Sequence, residues 1–163
     1  MKESEIRPQA VFEKYLELSA QDALAMQANS AEFSATDCPA CDSSRKKELF
    51  QKNGFHIQSC LECFSIFCSP RPSQKQLGFL YAKSPSSYFW AKELFPQVAK
   101  VRREKLFRPK AKLIFEKLQK FGMDPRTICD VGAGHGLLLE ELHALWPSSS
   151  LYAVEPGQEM AGI

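Results

Sequence analysis

Cys38-Pro-Ala-Cys41 and Cys60-Leu-Glu-Cys63 are two CxxC pairs separated by 18 residues. Two residues between thiolates let one tight turn present both sulfurs to one ion. The spacer is long enough for a hairpin that brings the second turn opposite the first. Four thiolates at ~2.3 Å complete a tetrahedral zinc site with no open coordination position, so such a site is structural rather than catalytic. Other uses of four cysteines weigh less. A disulfide framework needs an oxidising compartment, and nothing in the sequence points to export. A thioredoxin-like redox pair comes singly near a βαβ pattern. An iron–sulfur cluster also takes four cysteines and stays open as an alternative. Asp42 and Phe64 follow the two pairs at the place where zinc knuckles often carry glycine. Cys68 reads as a small buried hydrophobe with a substitute-ligand alternative, and Cys129 as inert packing on a core strand.

The second constellation is Ile128-Cys129-Asp130-Val131-Gly132-Ala133-Gly134-His135-Gly136. A strand delivers the chain to a tight turn, where glycines let the backbone approach a ligand. The helix that follows offers free N–H groups and the positive end of its dipole. Nineteen residues after Gly136, Glu155 ends the next expected strand, where an acid can take both hydroxyls of a ribose. The dinucleotide fingerprint is GxGxxG, whereas here the spacing is GxGxG, with Leu137 in place of the third glycine. Asp130, two before the first glycine, suits a ligand without a pyrophosphate and with an ammonium group. That describes S-adenosylmethionine better than NAD.

CDVGAGHG followed by LYAVEP resembles the first motif and the following acid of class I S-adenosylmethionine-dependent methyltransferases. Upstream, CPAC, CLECFSIFCSPRPS and LGFLY are similar to the N-terminal zinc-binding module of one such group, which includes sugar C-methyltransferases. Together the matches cover roughly residues 38–82 and 127–157. The resemblance implies methyl transfer to a small-molecule or sugar acceptor. It implies that Asp130, Gly132, Gly134 and Gly136 line the methionine end of the cofactor and that Glu155 binds the ribose. His135 falls at a variable position and reads as a loop residue. Tyr81 and Tyr88 lie where such enzymes place aromatics near the cofactor, with core packing as the alternative.

The flanking sequence indicates the elements that hold these groups. Residues 9–28 are rich in helix formers, and Val11, Phe12, Tyr15, Leu16 and Leu18 give them an apolar stripe. Residues 29–37 read as a linker, and FHIQSC (55–60) alternates like a strand. Two prolines in CSPRPS end regular structure there. Ser73 is placed to cap a helix, KSPSSYF (83–89) reads as a break, and a second helix spans about Trp90 to Phe107, interrupted at Pro96. Pro109 opens a third helix with Leu113, Ile114, Leu118 and Phe121 on one face and Gly122 as its stop. A strand at 127–131, a helix ended by Pro147 and a strand at 151–155 complete a βαβ pattern, the opening of a parallel sheet.

Hydrophobic residues make up 44% of the 163 and charged residues 25%, which excludes collagen, a coiled-coil rod and wholesale disorder. A net charge of +2 is too mild to argue for nucleic acid. Residues 100–126 nonetheless carry ten basic against three acidic side chains, a net of +7. The plain reading is a solvated helix face, and the alternative is a surface for an acidic partner. No apolar run approaches the roughly 18 residues of a membrane span. The polar start MKESEIRPQ is unlike a signal peptide, so a cytoplasmic location and no membrane are expected.

The expected fold is α/β. An N-terminal helix and linker (1–37) precede a small zinc-ribbon-like module (38–72), a helical connector (73–126) and the first βαβ of a Rossmann-like methyltransferase sheet (127–163). Leu137, Leu138, Leu139, Leu142 and Trp146 ask for a larger sheet than two strands provide. The chain therefore reads as a truncated methyltransferase, inactive by itself, with no assignable base. The competing reading is a zinc-ribbon interaction module whose Lys110 and Lys112 help contact a protein or nucleic-acid partner. An NAD-linked enzyme is disfavoured by the glycine spacing and by Asp130.

Overall fold

A computed structural model of the chain describes residues 2–161. Residues 1, 162 and 163, at the outer ends of the first and last expected segments, lie outside the described residues. The fold is mixed α/β with two small sheets. The chain divides into two compact units, residues 16–80 and residues 1–15 with 81–163. No helix among the described residues is long and apolar enough to cross a membrane.

Helix α2 (Gln9–Gln27), which follows the short α1 (Glu3–Ile6), gives its first turns to one unit and the rest to the other. Its buried positions Asp22, Ala23 and Met26 follow the helical period, whereas Leu16, expected in the apolar stripe, is exposed. In the unit 16–80, β1 (Lys46–Lys52), β2 (Phe55–Cys60) and β3 (Ile66–Cys68) form an antiparallel sheet in the order β1-β2-β3. Asn53 and Gly54 join β1 to β2 with φ of 51° and 81°. Two consecutive positive φ values make the hairpin turn whose twist matches the strands, and Asn-Gly is its preferred dipeptide. Residues 29–37 are more structured than a linker. They hold a 3-10 turn at Ser30–Glu32, and Ser34 bridges to Arg71. Thr36 N–H donates to Ser69 Oγ at 3.0 Å, and that hydroxyl returns a bond to the Thr36 carbonyl at 3.1 Å. Helix α3 (Gln74–Lys83) starts with Ser73 and Gln76 exchanging side-chain-to-backbone bonds, a capping box.

In the other unit the expected break at 83–89 shrinks to Ser84. Its hydroxyl accepts the Ser87 N–H and starts α4 (Pro85–Phe89). From there the chain stays helical to Lys120, through α5 (Phe95–Arg102) and α6 (Arg108–Lys120), and Pro96 does not interrupt it. The reason lies in two π-helical turns, Trp90–Leu94 and Arg103–Phe107, each ending two residues before a proline. A proline at position i cannot donate to the carbonyl at i−4 and its ring presses on it. Here those carbonyls belong to Lys92 and Lys105, inside the widened turns. Phe95 and Arg108 N–H instead reach five residues back, to Trp90 and Arg103. Gly122, with φ of 65°, ends α6: it donates to the Gln119 carbonyl, and Met123 donates to that of Leu118.

Strands β4 (Thr127–Val131) and β5 (Ser150–Val154) pair in parallel, joined through α7 (Leu137–Leu145), and α8 (Gln158–Ala161) follows. Ala111, Leu142 and Trp146 are the buried centre of the packing between α6, α7 and β4, with Ile114, Phe115, Leu118 and Ile128 against them. Leu113 and Phe121, expected on that face of α6, are exposed, because the buried stripe runs Ala111–Ile114–Phe115–Leu118. Side chains alternate across the two strands. Ile128 and Leu151 are partly covered, whereas Val131, Tyr152 and Val154 are exposed. Cys129 lies on that exposed side, not in a core.

Candidate functional site: a four-cysteine centre and a glycine-loop cavity

The sequence places Cys38 and Cys41 on one turn and Cys60 and Cys63 on the turn between β2 and β3, and the fold brings all four together. Their sulfurs lie within 4.8 Å of one another. Cys38 Sγ is 3.5 Å from Cys63 Sγ, and Cys41 Sγ is 3.6 Å from Cys60 Sγ. A tetrahedron with bonds of ~2.3 Å has edges of roughly 3.8 Å, so the spacing fits a zinc-sized ion. The two turns repeat one design. Cys38 N–H donates to the Ser43 carbonyl at 3.0 Å, and Cys60 N–H to the Ser65 carbonyl at 2.9 Å. Asp42 and Phe64 take the matching left-handed positions, φ of 58° and 62°. The first cysteine of each pair is buried and the second exposed.

The thiols are pulled in opposite directions. Hydrogen bonding with the Ser65 side chain and backbone brings Cys63 down to about 6. At Cys41 the backbone bond of Ser43 lowers the value, but the neighbouring sulfurs, Cys63 foremost, outweigh it and push the thiol up to about 12. Four thiolates this close repel one another, and a divalent cation removes that repulsion. Cys38, Cys41, Cys60 and Cys63 thus form a metal-binding site consistent with zinc. Cys68 is not part of it: its Sγ points to the Pro70 carbonyl at 3.4 Å.

In the other unit, the strand β4 feeds a loop in which Gly132, Gly134 and Gly136 have φ of 82°, 56° and 72°. No atom lies within 4 Å of a Cβ placed on any of them, so the requirement here is backbone conformation, not crowding. Gly132 N–H donates to the Val154 carbonyl at 2.7 Å, which ties the loop to the end of β5. Glu155 accepts from Gly134 N–H at 2.8 Å and from Gly157 N–H at 2.7 Å. A cavity of about 320 Å³ opens beside the loop. Asp130, Gly132 and Gly134 line it. Gly136 does not, although His135 and Leu137 on either side of it do, and Glu155 is engaged by the loop itself.

The opposite wall comes from the helical run. Trp90, Phe95, Arg102 and Phe107 face the loop, next to His135. His135 stacks on Phe95 with centroids 3.8 Å apart, and burial lowers its pKa. The sequence does not announce this wall: residues 100–126 read as a solvated basic face and His135 as a loop residue. The available signal was Pro96 and Pro109, 13 residues apart inside one helical pattern. Tyr81 and Tyr88 are exposed and do not line the cavity. Several charges of the basic stretch are paired: Arg108 Nε reaches Glu141 at 2.9 Å, Arg103 contacts Glu140, and Lys105 contacts Glu5.

The fold and its sites define a mixed α/β chain with a four-cysteine, metal-type centre. No protein-family model, curated protein or solved structure matches it.

Proposed function

We propose that the chain is a member of the S-adenosylmethionine-dependent methyltransferases, with a Rossmann-like βαβ unit that takes the cofactor and a structural zinc in the four-cysteine centre. The observation that carries the reading is the cavity in which Asp130, Gly132 and Gly134 meet at the end of a parallel strand. The loop shape is set by positive φ at three glycines spaced GxGxG, and the carboxylate at the strand end suits a cationic ligand. At about 320 Å³ the cavity lies at the small end of ligand pockets. When bound, the cofactor supplies an electrophilic methyl group. The protein's part is positioning it for displacement by an acceptor. The acceptor class is a small molecule or a sugar.

We also propose that this chain alone does not turn over. The apolar face carrying Val131, Tyr152 and Val154 is uncovered, as expected where further elements of such a domain pack. Isothermal titration tests the reading. Weak, saturable binding of S-adenosylmethionine with no heat from NAD supports it. Preference for NAD, or no S-adenosylmethionine binding at millimolar concentration, overturns it. Methyl transfer by the isolated chain would overturn the second proposal.

A further inference from the structure

We propose that His135 is the latch of the glycine-loop cavity: its imidazole supplies the hydrogen bond that Pro96 denies to the Ala91 carbonyl, and so fixes the loop to the helical wall. The need for a latch arises in the first π-helical turn. In an α-helix the Ala91 carbonyl would accept from the Phe95 N–H, but that N–H goes to Trp90. In the π register it would accept from residue 96, which is a proline and has no N–H. Ala91 is 2% exposed, so solvent is a poor substitute. A buried carbonyl without a donor is costly, and native folds supply one. The donor is the His135 ring, which hydrogen-bonds the Ala91 backbone. His135 Nε2 is buried without a partner, so the bond comes from Nδ1. Burial favours the neutral ring, which has a single N–H to give.

The second π-helical turn lacks this arrangement. There the Arg108 N–H goes to Arg103 and residue 109 is proline, so the carbonyl passed over is that of Glu104. Glu104 is exposed, and water serves its carbonyl. At Ala91 the donor instead arrives from the glycine loop, from a residue flanked by Gly134 and Gly136 with φ of 56° and 72°. The same ring lies flat on Phe95, with centroids 3.8 Å apart and planes 17° apart. Phe95, His135 and Trp90 all line the cavity. One side chain therefore joins the loop to the wall that faces it, and His135 is a positioning residue.

The test compares the full chain as wild type, His135→Phe, Pro96→Ala and the double variant. His135→Phe keeps a ring for Phe95 and removes the donor. Pro96→Ala restores an N–H that can serve Ala91. Nitrogen NMR of the wild type should find His135 in the Nδ1–H form. His135→Phe should speed exchange of the hydrogen-bonded amides of Gly132, Gly134 and Gly136 roughly tenfold. In the Pro96→Ala background the same change should matter less than about twofold, because residue 96 then supplies the bond. His135→Asn, which keeps a donor, should retain part of the protection. An Nε2–H ring in the wild type, or an equal effect of His135→Phe in both backgrounds, overturns the inference. If Pro96→Ala misfolds, seen in the near-ultraviolet dichroism of Trp90 and Trp146, the ring form and His135→Asn decide. Protection lost as fully in His135→Asn as in His135→Phe then overturns it. The consequence for binding rests on the reading above: affinity for S-adenosylmethionine should fall roughly tenfold in His135→Phe and return in the double variant. Faster exchange with unchanged affinity overturns the positioning role and leaves the cofactor reading standing. Absence of S-adenosylmethionine binding in every form removes the cofactor reading, while the exchange pattern still decides the latch.

Discussion

The two units hold their chemistry-bearing residues in opposite states of completion. In the unit 16–80, four sulfurs face one another, and each turn that carries them closes its own backbone bonds, Cys38 to Ser43 and Cys60 to Ser65. The four sulfurs stand at the spacing of a ligand set that could hold one metal ion. In the other unit, the cavity leaves buried polar atoms of Arg102 and His135 without partners, and one face of the β4–β5 sheet is exposed. A saturated ligand set stabilises a fold, whereas an unsaturated one waits for a ligand.

The largest expected effect would come from breaking the closed side of this contrast. A segment of this size with a three-stranded sheet has little core of its own, and a structural zinc contributes on the order of 10 kcal/mol to such folds. The purified chain should contain one equivalent of metal, measured by mass spectrometry of the native protein. Cys60→Ser or Cys38→Ser should lose it and collapse amide protection in β1–β3. Both tryptophans, Trp90 and Trp146, lie in the other unit. Their emission should therefore change far less than the amide signals of residues 46–68. An equal loss in both would break the contrast.

Next comes the hydrophobic centre beneath the glycine loop. Trp146 is buried against Phe115, with ring centroids 5.0 Å apart, and Leu142 and Ala111 complete the cluster. Trp146→Ala should cost about 3–5 kcal/mol, read as a fall in the denaturant midpoint followed through amide dichroism. The metal content should stay unchanged. A smaller effect is expected at the loop itself. Gly136 has φ of 72° and an open space where a Cβ would sit. Gly136→Ala should therefore cost only the left-handed conformation, about 1–2 kcal/mol. A larger loss would mean that the loop is crowded in solution.

The elements were legible where local rules decide them. The paired CxxC spacing gave the four-cysteine set, the alternation of residues 55–60 gave β2, and Gly122 gave the end of α6. Asn53-Gly54 announced the hairpin just as locally but went unread. Most of the helical run from Pro85 to Lys120 was legible as two helices, but its start at Pro85 and its continuity through Pro96 and Pro109 were not, because prolines usually stop helices. Two π-helical turns absorb them here, and no rule of periodicity predicts those. The error carried into the candidate site. Splitting the helix hid that Trp90, Phe95, Arg102 and Phe107 share a wall of one cavity. Cys129 was misplaced for a different reason: an apolar strand reads as buried whether or not its second face is covered, and here that face is open.

The smallest expected effect sharpens the contrast from the surface of the metal unit. Glu48 on β1 meets His56 Nδ1 on β2 at 2.7 Å, both side chains being well exposed. Hydrogen bonding to His56, then to Gln51, holds the Glu48 carboxyl below its ordinary value. A depressed carboxyl pKa means that the interaction is present above the ordinary carboxylate range and is lost as pH falls through the lowered value. Solvent screens an exposed pair, so its share of stability should sit near the limit of measurement. The direction is still readable. A carbon-detected NMR titration of Glu48 should show its midpoint moving up toward the ordinary value in His56→Ala. If it does not move, the pair has no hold on the hairpin. The spacing of the four sulfurs should be untouched in either case, because it is set by the turns Cys38–Ser43 and Cys60–Ser65, whereas the pair lies on the exposed side of the strands that lead to them.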